Sequence, residues 1–274
     1  MKEALDFAVI GGDRRQIFAA KHLRERGYQA ELFMHSAGKP YNVLKEIKAH
    51  AYLLPIPLTR DGKTIFAPES EKKIEISAFL AETPQDSLLF AGGTAGFSDK
   101  RLIDYGKSEM FALYNAVPTA EGALLLAMQN LDAVICGMRV CVLGFGKVGR
   151  QTAALFHAVG ADVTVFARRE EARAEARECG FHARPFEKLS ETADHYRLWL
   201  NTIPSKIVDT HILSHMADNV LYIELASMPY GIDLAEAAVH GVRVIEAGGL
   251  PGRFFPETAG YAVCDAVLNL MKKG

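Results

Sequence analysis

The segment that most constrains the fold is "RVCVLGFGKVGRQTAALFHAVGADVTVFARR", residues 139–169, in which an apolar strand leads into a glycine-rich turn and a helix. Gly144, Gly146 and Gly149 have the spacing G-x-G-x-x-G at that junction. The first glycine allows a tight turn, the second lets the backbone approach a pyrophosphate, and the third permits close packing of helix against strand. The motif therefore predicts a Rossmann domain with the diphosphate at the helix N-terminus. The predicted cofactor-binding residues of this turn are Gly144, Phe145, Gly146, Lys147, Val148 and Gly149.

Strand and helix patterns alternate along the whole chain, which is typical of α/β proteins with parallel sheets. A length of 274 residues exceeds what one core usually holds. The predicted fold is two doubly wound, Rossmann-like α/β domains with a cleft between them. The predicted boundaries are 1–117 plus 255–274 for a flavodoxin- or Rossmann-like substrate domain, and 118–254 for the dinucleotide-binding domain.

Three helices in the pattern bear on this division. A long interdomain helix is predicted to begin at "NAVPTAEG", with its proline in the favoured first turn. The last helix, near Pro256, is predicted to pack back on the N-terminal domain. A further helix is predicted in the forties, and another at 72–81.

Composition excludes several classes of protein. The formal net charge of −2 gives no reason to expect binding to nucleic acid or to an anionic membrane. No apolar run approaches the roughly 18 residues of a membrane helix, and the N-terminus enters a strand pattern without a signal-peptide core. The four cysteines include no C-x-x-C pair, and His211 and His215 lack a zinc signature. We therefore expect a cytoplasmic protein without a metal site.

The identity of the dinucleotide follows from the end of the next strand, "DVTVFARR". NAD-binding domains usually place an Asp or Glu there to bind the ribose 2′-hydroxyl, whereas this chain has Ala167. Arg168 and Arg169 follow, and a guanidinium can pair with a 2′-phosphate. The pattern favours NADP. The alternative is that both arginines merely begin a solvated, highly charged helix.

Two later loops lie where the ligands of open α/β sheets bind, at the carboxyl ends of strands. The first, "NTIP", contains Asn201, Thr202, Ile203 and Pro204, which we expect to contact the nicotinamide end of the cofactor. The second, "ELASMPYGID", has Glu224 and Ser227 as its polar groups and offers Ser227 as a candidate catalytic hydroxyl. The alternative for both is an ordinary strand-to-helix loop in which Asn, Ser and Pro serve turn chemistry.

These stretches resemble the A-subunit family of dipicolinate synthase. The resemblance rests on "VIGGDRRQ", "NAVPTAEGALLLAMQNLDAVICGMRVCVLGFGKVG", "NTIP", "ELASMPYGID" and "EAGGLPGRFFPETAGY", which together span nearly the whole chain. More distantly, the second domain resembles those of D-2-hydroxyacid dehydrogenases and S-adenosylhomocysteine hydrolase.

The resemblance to the dipicolinate synthase family implies an NADP-dependent oxidation. Dihydrodipicolinate, or its hydrated 4-hydroxy-tetrahydro form, would become pyridine-2,6-dicarboxylate. It also implies a small flavoprotein partner, the B-subunit of the same enzyme, and the cytoplasm of a sporulating mother cell. We expect a homo-oligomer as well.

A dicarboxylate substrate gives a meaning to "VIGGDRRQ", which begins like a dinucleotide turn but has arginines in place of the third glycine. A helix N-terminus and a guanidinium together can bind a carboxylate. Adjacent side chains diverge on a helix, so one arginine, Arg14, is expected to reach the substrate. The alternative is that Asp13 caps the helix and both arginines face water. The candidate substrate residues are Gly12, Asp13, Arg14, Arg15, Thr94, Ala95 and Thr119.

Glu121, in "PTAEG", is the candidate proton acceptor, although it could equally be a first-turn acid that stabilises the helix dipole. Two other functions stay open. A D-2-hydroxyacid-type dehydrogenase would use an Arg and a His/Glu pair, but no convincing His aligns. The second alternative is a non-catalytic NADP-binding subunit that regulates or scaffolds a partner protein.

Overall fold

The computed structural model describes residues 5–39 and 47–272, so the helix predicted in the forties falls mainly outside the described residues. The chain forms two compact units, Met1–Asn115 with Pro251–Gly274, and Ala116–Leu250. The helices and strands, in chain order, are β1 (Leu5–Ile10), α1 (Arg14–Glu25), β2 (Ala30–Phe33), β3 (Ala49–Leu53), α2 (Ile76–Glu82), β4 (Leu88–Ala91), β5 (Leu102–Asp104), α3 (Glu109–Asn130), β6 (Arg139–Leu143), α4 (Lys147–Ala158), β7 (Asp162–Phe166), α5 (Glu170–Glu178), β8 (His182–Arg184), β9 (Leu198–Asn201), α6 (Thr210–Leu213), β10 (Leu221–Glu224), α7 (Leu234–Val239), β11 (Arg243–Glu246), α8 (Leu250–Phe254) and α9 (Pro256–Met271).

The first unit contains a five-stranded parallel sheet in the order β2-β1-β3-β4-β5. Strand β1 lies inside this sheet, between β2 and β3, and its residues 7–10 are apolar and buried on both faces, as strands of parallel sheets are. Because side chains alternate along a strand, Phe7 and Val9 join one core cluster, with α1 and α9. Ala8 and Ile10 join the other cluster.

The C-terminal helix α9 packs against α1 within this first unit. Gly260 makes the close approach possible, because a Cβ there would lie 2.5 Å from the carbonyl oxygen of Arg15 and 2.7 Å from Cβ of Phe18. The apolar residues Val263 and Val267 of α9 are buried in the same cluster as β1. The last segment of the chain therefore completes the core of the first unit.

The second unit contains a six-stranded parallel sheet in the order β11-β10-β9-β6-β7-β8. Counted from β6, this is the Rossmann order 3-2-1-4-5-6. Trp199, Tyr222 and Phe166 are fully buried in its core. The prediction of two doubly wound α/β domains with parallel sheets is confirmed.

Three details of the elements differ from the sequence prediction. Helix α3 begins at Glu109, so Pro118 lies inside it and not in its first turn. A proline there has no N–H to donate to the Tyr114 carbonyl, so the helix lacks one backbone hydrogen bond at this point. Helix α2 begins at Ile76, later than expected, and the short strand β5 has no counterpart in the prediction.

Helix α3 also corrects the expectation that no segment reaches membrane-spanning length. Among the described residues it is the one helix long and apolar enough, with a window of mean hydropathy 1.2. Half of that window is buried inside the protein, and the core helix of a globular protein meets the same criterion.

Candidate cofactor and substrate sites

The switch point of the second unit lies between β6 and β9, where the strand order reverses and where open α/β sheets bind ligands. The glycine turn after β6 and the "NTIP" loop after β9 meet there. Thr202 donates to the Leu143 carbonyl through its backbone N–H at 3.0 Å and through Oγ1 at 2.8 Å. A Cβ on Gly144 would lie 2.6 Å from that Oγ1, and its φ of +94° favours glycine. Thr202 therefore fixes one loop against the other.

The other two glycines have different surroundings, which match the two roles expected of them. A Cβ on Gly149 would lie 2.3 Å from the Gly144 carbonyl oxygen, so this glycine lets α4 pack against the turn. A Cβ on Gly146 would meet nothing within 4 Å. Gly146 caps α4 without a side-chain hydrogen bond, and no acid lies in the first turn of that helix. The open face of Gly146 and the N–H groups of the helix start fit a diphosphate.

Phe145, between the first two glycines, contributes backbone and not its ring to the surface of this turn. Its side chain is buried, packs edge-on against Phe181 and carries the Arg150 guanidinium 5.3 Å above its ring. Lys147 and Val148 lie at the start of α4, and Val148 is half-buried.

The end of β7 has the features expected for a 2′-phosphate site. Ala167 is buried, and Arg168 and Arg169 are exposed. Arg173 donates from Nη1 to the carbonyls of Ala167 and Arg168, both at 2.7 Å, and so fixes the backbone of this loop. No ion pair engages Arg168 or Arg169 within residues 5–39 and 47–272. Both guanidinium groups are available to an anion.

Asn201 is placed differently from its prediction as a cofactor contact. It is fully buried, and Nδ2 donates to Oε1 of Glu224 at 2.7 Å and to the Ile203 carbonyl at 3.0 Å. Glu224 also accepts from the backbone N–H groups of Ala226 at 3.0 Å and Gly231 at 2.8 Å. A Cβ on Gly231 would lie 2.4 Å from Nδ2 of Asn201. Asn201 therefore ties the loop after β9 to the loop after β10, and it does not present its side chain to a ligand.

Burial raises the pKa of Glu224 above its ordinary value, against the Gly231, Asn201 and Ala226 donors, which lower it. Sequence analysis identifies Glu224 only as a polar residue of its loop, because a link to Gly231 and Asn201 cannot be read from spacing. Three other predicted residues of these loops remain accessible: Ile203 is half-buried, and Pro204 and Ser227 are exposed.

The first unit has the flavodoxin-like strand order, whose switch point lies between β1 and β3. In the loop after β1, polar groups already have hydrogen-bond partners within the chain. The Gly12 N–H donates to the Phe66 carbonyl at 2.7 Å, and its φ is +78°. The Gly12 N–H therefore already has an acceptor within the chain, and the role of Gly12 in binding substrate stays a prediction.

Asp13 and Arg15 are paired with each other at the start of α1. Asp13 caps the helix by accepting from the Arg15 N–H, and its carboxylate also receives Nε and Nη2 of Arg15, both at 2.8 Å. Burial alone would raise the pKa of Asp13, but these hydrogen bonds and the Arg15 charge hold it below its ordinary value. Arg15 also donates to the Ile56 carbonyl. Asp13 and Arg15 therefore form an internal ion pair, and their role in binding substrate stays a prediction.

Arg14 is exposed beside this pair, and its guanidinium has no ion-pair partner in the described part of the chain. It is the residue of "GGDRRQ" that stays available for a carboxylate.

The loop after β4 is organised by Asp104, which sequence analysis missed. Thr94 donates to Oδ2 of Asp104 through its N–H and its hydroxyl, both at 3.1 Å, and Gly93 donates to Oδ1. The hydroxyl of Thr94 therefore already has an acceptor, although Ala95 beside it is exposed.

Helix α3 carries the last two predicted site residues. Glu121 is exposed in the middle of the helix, so it is not a first-turn acid. Thr119 is buried, at 6% exposure.

One group of three side chains among the described residues could hold a metal ion: His22, Cys264 and Asp265, whose ligand atoms lie within 4.8 Å of one another. Asp265 already pairs with Arg26 at 2.8 Å, and Nδ1 of His22 lies 3.3 Å from Glu25. Burial raises the pKa of the Cys264 thiol to about 12, so it stays neutral, and we interpret the group as polar contacts around the Arg26–Asp265 ion pair.

Both halves of the chain match known families. Residues 6–114 match the N-terminal domain of the dipicolinate synthase A-subunit, and residues 126–227 match the NAD binding domain of D-isomer specific 2-hydroxyacid dehydrogenases. The dipicolinate synthase A-subunit of Bacillus subtilis (strain 168) is 31% identical over 290 residues, 99% of this chain and 97% of that protein.

Two solved structures extend the match. The crystal structure of the dipicolinate synthase A-subunit from Bacillus halodurans gives a TM-score of 0.88 at 29% identity and covers 98% of this chain and 99% of that one. The corresponding dipicolinate synthase structure from Bacillus subtilis gives 0.87 at 30% identity, with 100% and 97% covered. The second unit is therefore a Rossmann domain of the nicotinamide-binding type.

Proposed function

The chain belongs to the dipicolinate synthase A-subunit family, and from this premise we propose that it oxidises dihydrodipicolinate to dipicolinate with NADP. The substrate could enter as dihydrodipicolinate or as 4-hydroxy-tetrahydrodipicolinate, which loses water first. A dehydrogenase-type role follows from the family and from the match to a nicotinamide-binding domain. The proposal rests on the glycine turn, whose face at Gly146 is open. This turn occurs in a chain that is related over 99% of its length to a component of dipicolinate synthase.

NADP is proposed over NAD because of the groups at the end of β7. Ala167 has no carboxylate to accept a ribose 2′-hydroxyl or to repel a 2′-phosphate. The exposed guanidinium groups of Arg168 and Arg169 supply positive charge, and a guanidinium can form two parallel hydrogen bonds to a phosphate. Arg173 donates to the carbonyl of Arg168 and so holds the backbone of this loop.

We assign the substrate to the first unit and the cofactor to the second. Arg14 is the proposed carboxylate-binding residue of the first unit, because it is exposed and unpaired among the described residues. Ala95 and Thr119 stay in the proposal as residues near the substrate. The proposed cofactor-binding residues are the three glycines of the turn together with Phe145, Lys147, Val148, Arg168, Arg169, Thr202, Ile203 and Pro204.

The oxidation removes one hydride and one proton from the dihydropyridine ring, and the nicotinamide supplies the hydride acceptor when it is bound. Formation of an aromatic ring favours the products, so this chain must mainly position the ring and take up a proton. Glu121 is the proposed proton acceptor, since its carboxylate is exposed and available. Ser227, exposed after β10, is proposed to orient the reacting groups.

The relatives are named as one lettered component of dipicolinate synthase, which implies a second component of the same enzyme. For this chain we propose that the partner is the small flavoprotein B-subunit of that enzyme. We also propose a homo-oligomeric assembly in the cytoplasm of a sporulating mother cell.

The decisive experiment gives the purified chain NADP and dihydrodipicolinate and follows reduced nicotinamide and dipicolinate together. Equal formation of both products supports the proposal, and Glu121→Gln should lower kcat about 100-fold or more without weakening NADP binding. Turnover of 2-hydroxy acids instead would indicate a D-2-hydroxyacid-type dehydrogenase. NADP binding without any turnover would indicate a non-catalytic component of a complex.

A further inference from the structure

Glu224 is the one fully buried acidic residue in the described part of the chain, with 1% of its surface exposed. It ends β10, in register with Asn201 of β9 and Glu246 of β11. It therefore lies at the carboxyl edge of the sheet, the edge at which α/β domains bind their ligands.

The hydrogen bonds around Glu224 favour its ionised form. Both carboxylate oxygens accept from N–H donors, namely the backbone of Ala226 and Gly231 and the amide of Asn201. A carboxylic acid would need an acceptor for its proton, whereas a carboxylate is stabilised by such donors.

The charge of Glu224 has no cationic partner among the residues described. Its ionisable neighbours are Tyr222 and Tyr230. Burial raises the pKa of Tyr222 well above its ordinary range, and the hydrogen bond to Glu246 raises the pKa of Tyr230, so both phenols stay neutral. No lysine, arginine or histidine within residues 5–39 and 47–272 forms an ion pair with it. A buried negative charge balanced only by N–H dipoles attracts positive charge across a low dielectric.

The position of Glu224 in the sheet indicates which half of a bound dinucleotide would lie near its charge. A Rossmann sheet consists of two mononucleotide-binding halves. The glycine turn after β6 and the arginines after β7 mark the adenosine half, and β9, β10 and β11 form the other half. Glu224 ends the middle strand of that second half, which takes the nicotinamide. The oxidised nicotinamide ring carries a positive charge and the reduced ring does not.

We propose that Glu224 is an electrostatic selectivity residue that makes the site bind oxidised cofactor in preference to reduced cofactor. The proposal rests on the proposed binding of NADP at this edge, but it does not depend on which substrate is oxidised. Functionally, the buried charge would promote release of reduced cofactor after each turnover.

The test compares dissociation constants of NADP⁺ and NADPH, without substrate, for the wild-type chain and for Glu224→Gln. The variant should lower the preference for NADP⁺ about tenfold, because a unit negative charge that favours the oxidised ring in a medium of low dielectric constant is removed. Binding of 2′-phospho-ADP-ribose, which lacks nicotinamide, should not change. A purely structural role would weaken all three ligands equally.

Glu246→Gln is the matched control, because Glu246 ends the neighbouring strand but is exposed to solvent, which screens its charge. It should change the NADP⁺/NADPH preference by less than about twofold. An unchanged preference in folded Glu224→Gln overturns the inference. A wild-type protein that binds NADPH about tenfold more tightly than NADP⁺ also overturns it, without any variant. Failure of the wild type to bind either form would instead count against the proposed function.

Discussion

Arg15 holds Asp13 in a forked ion pair, in which Nε and Nη2 each donate to one carboxylate oxygen at 2.8 Å. The side chains are only 11% and 26% exposed, and Gly252 packs against them, since a Cβ there would lie 2.7 Å from Nε of Arg15. The N-terminus of α1 therefore already carries a carboxylate, from its own chain. Of the two arginines that follow Asp13, Arg15 is the one engaged by this carboxylate.

Arg15→Ala should lower the free energy of unfolding by about 2 kcal/mol, because it leaves the half-buried Asp13 carboxylate without its charged donor. Arg15→Lys should restore only part of this, since a lysine cannot form the fork. Urea denaturation at neutral pH measures both. Arg14→Ala is the matched control, an exposed arginine one residue away that should leave stability unchanged.

The contribution of this pair should depend on pH with a known sign. The pKa of Asp13 is held below its ordinary value, so the pair stabilises the fold fully above the unfolded-state pKa of about 4. The stabilisation is lost as the pH falls through the lower, folded-state pKa. The difference between wild type and Arg15→Ala should therefore shrink when the denaturation is repeated at about pH 3 or below. A difference that grows on acidification would contradict this interpretation of Asp13.

The pair also shows where sequence reasoning succeeds and where it fails. The strand β1 and the glycine turn at Gly144 follow from local chemistry, and the structure has both. The cap at Asp13 corresponds to the alternative interpretation of "GGDRRQ" and not to the predicted one. The Arg15 guanidinium also donates to the carbonyl of Ile56, far along the chain, and that second contact cannot be read from "GGDRRQ".

The same limit applies to the second unit and to α3. Local pattern predicts a cofactor contact at Asn201, because its partners Glu224 and Gly231 follow only much later in sequence. It predicts a helix start at Pro118 because prolines favour that position, but α3 begins at Glu109 and contains the proline in its interior. At Asn201 a tertiary contact overrides the local preference.

Arg14→Ala should raise the substrate KM about 10- to 100-fold, through loss of a charge-assisted hydrogen bond to a carboxylate. Arg14→Lys should recover part of the loss, because a point charge cannot reproduce the two-bonded fork. Steady-state kinetics with NADP measure the effect. NADP affinity should hardly change, and a variant that weakens NADP while leaving KM alone would make "VIGGDRRQ" a nucleotide loop.

The wild-type chain should bind NADP more tightly than NAD. Arg168→Ala should remove much of the preference, about 10- to 100-fold, and adding Ala167→Asp should narrow or reverse what remains. Arg177→Ala is the control, an exposed arginine of the same segment that is already paired with Glu170 at 2.5 Å. Fluorescence titration of each protein with NADP and with NAD measures this preference. If the wild-type chain binds NADP and NAD equally tightly, the arginines after β7 do not bind a 2′-phosphate.

Replacing a glycine of the turn by alanine should lower stability at Gly149 but weaken cofactor binding at Gly146. Gly149→Ala places a methyl group 2.3 Å from the Gly144 carbonyl, so the turn must shift, and stability should fall by about 1–3 kcal/mol. Gly146→Ala has open space and an ordinary φ of −82°, so the protein should fold as the wild type does. Its methyl group would occupy the face that the pyrophosphate approaches, and NADP should bind about tenfold more weakly or worse.

Thermal unfolding without cofactor, followed by NADP titration, separates these two effects, and each variant serves as the control for the other. A structural glycine turn without a ligand would show the loss of stability at Gly149 but no loss of binding at Gly146. If Gly146→Ala binds NADP like the wild type, the diphosphate does not lie on this turn, and the placement of the cofactor over β6 and β9 fails with it.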